Sequence, residues 1–294
     1  MTTQDTSWGT SPNAEATEAW DGPLYDRFLQ YRHLVVDALG PHGEAALERV
    51  PPAPGDRVLD IGCGFGDTAQ RIAGLVGADG EVVGVDVAPR FIETATREAA
   101  EAGVENVTFE VRDVQFDPLG EDYDVAFSRM GTMFFASPVA ALRNVRTALR
   151  PGGRLVMVVW RRREDNEWMY RAQTVVEALV PSNEESDEPT CGPGPFSMVN
   201  ADTVSEILKF AGFEDISLHR CDLNVLLGRD LDEAIAINLA IGPAGELMRL
   251  AGDAAAPLLP RIDAELRAAL AEFVTDDGVY APASTWIVTA RAPG

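Results

Sequence analysis

Two carboxylates and three glycines in the first third of the chain stand at intervals suited to a charged, sugar-bearing ligand. Asp60 closes the run Arg57-Val58-Leu59-Asp60, and Gly62, Gly64 and Gly66 follow at every second position. Glycine lets a backbone turn tightly and approach a ligand with no Cβ in the way. A helical pattern opens at Asp67, and the free N–H groups and positive dipole end of such a helix would face the same ligand. At the end of its strand, Asp60 can accept hydrogen bonds from an ammonium group. Asp86 ends a second apolar run, Glu81-Val82-Val83-Gly84-Val85-Asp86, twenty residues past Gly66. An acid at that spacing can hold both hydroxyls of a ribose. Val87, directly after it, is placed to lie against a face of an adenine. The competing reading of Asp86 is an acid at a helix start with no ligand, because Asp is favoured there.

These side chains can act together only if strands carry them to one edge of a sheet. Apolar, β-branched runs predict buried parallel strands at Arg57–Asp60, Glu81–Asp86, Asn106–Arg112, Tyr123–Ser128 and Arg154–Trp160. Crossover helices are expected at Asp67–Leu75, Pro89–Ala102 and Pro138–Leu149, with Pro151-Gly152-Gly153 turning into the fifth strand. Beyond it the pattern predicts helices at Glu167–Val180 and Ala201–Ala211, a sixth strand after Gly212, and a last strand at Tyr280–Ala290. Residues 230–273 read as two or three inserted helices, and residues 181–195 as a polar, Gly/Pro-rich loop.

The details of the glycine turn separate two cofactor classes. The dinucleotide fingerprint G-x-G-x-x-G/A would need Gly or Ala where Asp67 stands, and a nicotinamide dinucleotide has no ammonium for Asp60. S-adenosylmethionine (SAM) carries one. Asp60-Ile61-Gly62-Cys63-Gly64-Phe65-Gly66 resembles motif I of the class I SAM-dependent methyltransferases, and Leu149-Arg150-Pro151-Gly152-Gly153-Arg154-Leu155 resembles the loop before their fifth strand. The resemblance spans residues 56–160 and is nearest to small-molecule enzymes such as those of ubiquinone and menaquinone biosynthesis. It implies an α/β fold with a doubly wound, seven-stranded, mainly parallel sheet whose last strand is antiparallel. It implies cofactor contacts from Asp60, Gly62, Cys63, Gly64, Gly66, Asp86 and Val87. It also implies that Asp113 accepts from the adenine amine, that Val114 offers its N–H to the ring, and that Ser128 and Arg129 stand at the ligand edge after strand four. Arg129 could instead bind a substrate anion or form a surface ion pair.

The domain reading is a flexible segment at 1–17, a helical cap at 18–55, and the SAM-binding domain at 56–294. The cap shows the pattern Trp20, Leu24, Phe28, Tyr31, Leu34, Val35, Leu39, and with the inserted helices it would form a lid. Trp20, Tyr25, Tyr31, Phe134, Phe135, Trp168 and Phe196 are candidate pocket aromatics, with core packing as the competing role.

Methyl transfer to oxygen, slightly favoured over carbon or nitrogen, generally needs a base. His33 is the first candidate, on the cap; His42 follows Pro41 in an expected loop, and His219 lies in strand six. Without a histidine, alignment of an ionised nucleophile would have to suffice. No metal-ligand spacing is present, and three scattered cysteines with no apolar leader fit a cytoplasmic protein. A formal charge of −23 argues against nucleic-acid and anionic-membrane partners, leaving a small-molecule substrate and an oligomeric state that the sequence does not fix. The alternatives are a nicotinamide-dependent oxidoreductase and a SAM-binding protein without turnover.

Overall fold

The computed structural model describes residues 13–180 and 193–294. Its strands are β1 (Arg57–Ile61), β2 (Glu81–Asp86), β3 (Val107–Val111), β4 (Tyr123–Arg129), β5 (Leu149–Trp160), β6 (Glu214–Gly228), β7 (Val274–Thr275) and β8 (Gly278–Arg291). They form one sheet in the order β3-β2-β1-β4-β5-β8-β6, with β7 paired to β8. β1 to β5 are mutually parallel, and β8 runs antiparallel between β5 and β6. The sheet therefore has eight strands where seven are expected, because Val274–Thr275 folds back on Val279 and Gly278 as a short hairpin.

The helices are α1 (Ala14–Ala19), α2 (Tyr25–Gln30), α3 (Arg32–Arg49), α4 (Asp67–Val76), α5 (Pro89–Ala102), α6 (Pro138–Ala148), α7 (Glu167–Leu179), α8 (Ala201–Ala211), α9 (Leu231–Ala240), α10 (Gly242–Ala251) and α11 (Leu259–Leu270). Helices cover both faces, so the central strands are buried throughout; Val58, Leu59 and Ile61 of β1 have no exposed surface. Sequence order reverses where β1 lies beside β4. The crevice at the carboxyl ends of those two strands is where an open α/β sheet binds ligands.

Three local expectations are corrected. Ala14–Ala19 is helical and overlaps the segment 1–17 read as flexible; residues 1–12 and 181–192, the latter most of the loop expected at 181–195, lie outside the described residues. The cap is not a helix to about Leu39, a loop at His42 and a second short helix at 43–50, as its sequence pattern predicts. It breaks at Gly22 (φ −113°, ψ −112°) and at Tyr31 (φ −104°, ψ 19°), then runs unbroken through Pro41 to Arg49. Proline removes one helical N–H there, but Ala38, His42, Ala46 and Leu47 are all buried in the packing of α3 on β5 and β6, which outweighs that loss. Finally, Pro151-Gly152-Gly153 is a bulge inside β5, since Tyr123 pairs with Leu149 and Val125 next with Arg154. The 230–273 insertion holds α9, α10 and α11. Among the described residues no single helix is long and apolar enough to cross a membrane.

Candidate active site

The glycine turn is held in a shape that few other residues could adopt. Gly62, Gly64 and Gly66 have φ of 65°, 53° and 77°. A Cβ on Gly62 would stand 3.0 Å from the Cα of Gly131, so the loop after β1 and the loop after β4 touch backbone to backbone. The Gly64 N–H donates to Asp86 Oδ2 at 3.0 Å, and the Ala88 N–H donates to Asp86 Oδ1 at 3.0 Å. Asp86 thus ties the glycine turn to the start of α5. Burial pushes its carboxyl pKa up, while these backbone N–H groups pull it back.

Asp60 is 1% exposed, and its Oδ2 has no hydrogen-bond partner. Burial, chiefly, raises its pKa to about 7; Asp67 and Asp86 add to the rise and Arg129 opposes it. An unpaired buried carboxylate is costly, and a cation arriving from the crevice would relieve that cost. The residues present therefore fit a ligand that carries an ammonium group.

A cavity of ≈ 570 Å³ opens over this turn. Its base includes Gly62, Cys63, Gly64, Asp86, Val87 and Val114, with Asp113 and Arg129 alongside. Asp113 accepts from Asn13 Nδ2 and the Gln115 N–H, each at 3.0 Å. Arg129 pairs with Asp67 at 2.6 Å. Burial leaves the Cys63 thiol with a raised pKa, which argues against a nucleophilic role. The walls are apolar: Trp20, Phe28, Phe134, Phe135, Trp168 and Phe196. Trp20 meets Phe134 edge-on at 4.9 Å, joining the cap to the loop after β4. Ile237 and Ile241, with Pro243 and Leu247 of α10, close the remaining side.

Not every expected residue reaches this cavity. Asp60 and Gly66 lie beneath its lining; a Cβ on Gly66 would sit 2.6 Å from the Phe109 ring. Ser128 is fully buried and donates to the Ile61 carbonyl at 2.8 Å, fastening β4 to β1 rather than facing the cavity. Tyr25 packs on Phe91 and Phe65 and bonds Thr94, and Tyr31 sits at the helix break, so neither lines the wall. His33 is exposed and outside the lining. The break at Tyr31 resets the helical phase, so that Arg32, Val35, Val36 and Leu39 turn inward instead. His42 is fully buried; burial lowers its pKa to about 4 against the pull of Asp222, and its ring lies between Trp160 and Thr285 Oγ1. His219 accepts from Arg49 on the outer sheet edge. Sequence reading passed over Arg27, Arg163, Met169 and Gln173, which line the cavity. Their spacing reads as ordinary helix surface and core, and only the folding of α7 and the cap over the sheet brings them together.

Residues 52–212 match the family model described as a methyltransferase domain. The chain belongs to that family. Among curated relatives, it is 34% identical over 52% of its length to the aklanonic acid methyltransferase of a Streptomyces species (strain C5), covering 66% of that protein. It is 31% identical over 70% of its length to the nocamycin O-methyltransferase of Saccharothrix syringae, covering 79% of that protein. A solved structure of Haemonchus contortus phosphoethanolamine N-methyltransferase 2 superposes with a TM-score of 0.58 at 19% identity, over 95% of this chain and 60% of that one, and shares the fold. SAM is the methyl donor that this methyltransferase's glycine cradle and orphaned carboxylate fit.

Proposed function

We propose that this methyltransferase transfers the methyl group of SAM to an oxygen of an aromatic small molecule. One observation carries the reading: the orphaned Asp60 carboxylate and the strained glycine cradle lie under the same cavity that the aromatic side chains wall. Asp60 would hold the ammonium of the donor, Asp86 its ribose, Val87 a face of its adenine, and Asp113 with the Val114 N–H the adenine edge. When bound, the donor supplies a methyl group on a positively charged sulfur, so no protein group need activate it. The chain's own residues bind, align and dry the reacting pair. Trp20, Phe134 and Phe196 present flat apolar faces that would orient an aromatic acceptor and exclude water. The relatives named as O-methyltransferases support oxygen over carbon or nitrogen.

Calorimetric titration should give saturable binding of SAM and S-adenosylhomocysteine, undisturbed by NADH. Methyl transfer from labelled SAM to a panel of hydroxylated aromatics should follow. Binding of NADH in place of SAM would overturn the proposal.

A further inference from the structure

Five arginines line the cavity of a chain whose formal charge is −23, and their partners divide them. Arg32 pairs with Glu98 at 2.6 Å, Arg112 with Glu110 at 3.0 Å, and Arg129 with Asp67 at 2.6 Å. Arg27 and Arg163 have no ion pair among the described residues. Arg163 lines the cavity yet stands exposed, with its guanidinium 5.4 Å from the Phe196 ring centroid. Arg27 is partly buried, and Nη1 reaches only the carbonyls of Ala240 and Gly245, at 3.4 and 3.5 Å. Its nearest acid on α10, Glu246, is already held by Arg249 at 2.8 Å. A cation kept against apolar walls without a counter-ion leaves a binding site for an anion.

The acids of the cavity point the same way. Asp67 is paired with Arg129, Asp86 accepts two backbone N–H groups, Asp113 accepts from Asn13 and Gln115, and Glu246 is paired with Arg249. No histidine lines the cavity. A neutral phenol has a pKa near ~10, and among the described residues every lining carboxylate is already engaged by a hydrogen bond or an ion pair.

Resting on the methyltransferase reading, we propose that the acceptor is an aromatic oxyanion, a carboxylate or an acidic phenolate, ionised before it binds and recognised by Arg163 and Arg27. A lone pair of the oxyanion forms the new O–CH3 bond, and the C–S bond breaks with its electron pair left on sulfur. The negative charge of the acceptor and the positive charge of the sulfonium cancel, so no proton is released and no base is needed. The aromatic walls take the ring, and the two guanidinium groups take the charge.

The test uses 2-naphthoate and its neutral analogue 2-naphthamide, each titrated into the full-length protein saturated with S-adenosylhomocysteine. Quenching of the wall residues Trp20 and Trp168 reads binding without any turnover. At pH 7.5 the acid should bind about tenfold or more tightly than the amide, the scale of one charge-assisted contact. Arg163→Gln and Arg27→Gln should each cut that preference to below about threefold, while leaving S-adenosylhomocysteine affinity unchanged. Should Arg27→Gln fail to fold, the exposed Arg163→Gln carries the test alone. A wild-type preference below about threefold, undetectable binding of the acid included, overturns the inference, as does a preference that survives the folded variants. Failure of S-adenosylhomocysteine itself to bind is a separate readout and would count against the methyltransferase reading instead.

Discussion

If the orphaned carboxylate under the glycine turn holds the donor's ammonium, as proposed, ligand binding is a proton-linked event. With its pKa raised by burial to about 7 in the free protein, Asp60 is largely protonated at mildly acid pH. The ligand's ammonium favours the carboxylate, so binding must expel the proton. If only the ionised form binds, affinity follows the ionised fraction, which falls from about three quarters at pH 7.5 to about one in a hundred at pH 5. S-adenosylhomocysteine should therefore bind on the order of fifty- to a hundredfold more weakly at pH 5, with the logarithm of affinity rising towards one decade per pH unit. The free protein's stability carries the opposite sign. A carboxyl whose folded pKa lies above its unfolded value of 3.8 contributes stability fully below that value, and the contribution is lost as pH rises through about 7. At ~1.4 kcal/mol per pKa unit, this amounts to about 4 kcal/mol. Calorimetry in two buffers of different ionisation enthalpy would count the released protons, and melting curves from pH 4 to 8 would follow stability. Asp60→Asn should remove its share of both slopes, raise the free protein's melting temperature at pH 8, and weaken binding at pH 7.5. Affinity independent of pH in the wild type, or an unchanged slope in Asp60→Asn, would refute the role.

Asp86→Ala deprives the Gly64 and Ala88 N–H groups of their acceptor and should weaken S-adenosylhomocysteine by ~2–4 kcal/mol in titrations; an unchanged affinity would leave Asp86 only a loop fastener. Gly131→Ala would set a Cβ 2.8 Å from the Ile61 carbonyl oxygen and 3.1 Å from Gly62 Cα. It should cost ~1–3 kcal/mol in denaturant unfolding and loosen the cradle. His33→Ala, on the exposed side of α3, should change turnover by less than about threefold, and a loss of ~10² or more would restore it as a base. If the cap gates the cavity, hydrogen exchange in residues 18–35 should slow when S-adenosylhomocysteine is added. Identical exchange with and without ligand would make the cap a fixed wall.

The sequence by itself determined the glycine turn and the strand-end acids that gather at the base of the cavity. Motif I, Asp86 with its apolar run and Asp113 after β3 are local signals: strand, turn chemistry and helix start are written in residues a few positions apart. The parallel pairing of the first strands follows from alternating strands and helices, because parallel neighbours need a crossover connection. Only the tertiary structure decided the acceptor end. Arg27, Arg163, Gln173 and Ile241 come from four separated segments whose local patterns read as surface or core. Their convergence depends on how the cap, α7 and the inserted helices pack over the sheet edge. His42 illustrates the limit most clearly. Continued helix through Pro41 buries it where a loop is expected. That outcome is set by long-range burial that outweighs the local preference of one or two residues.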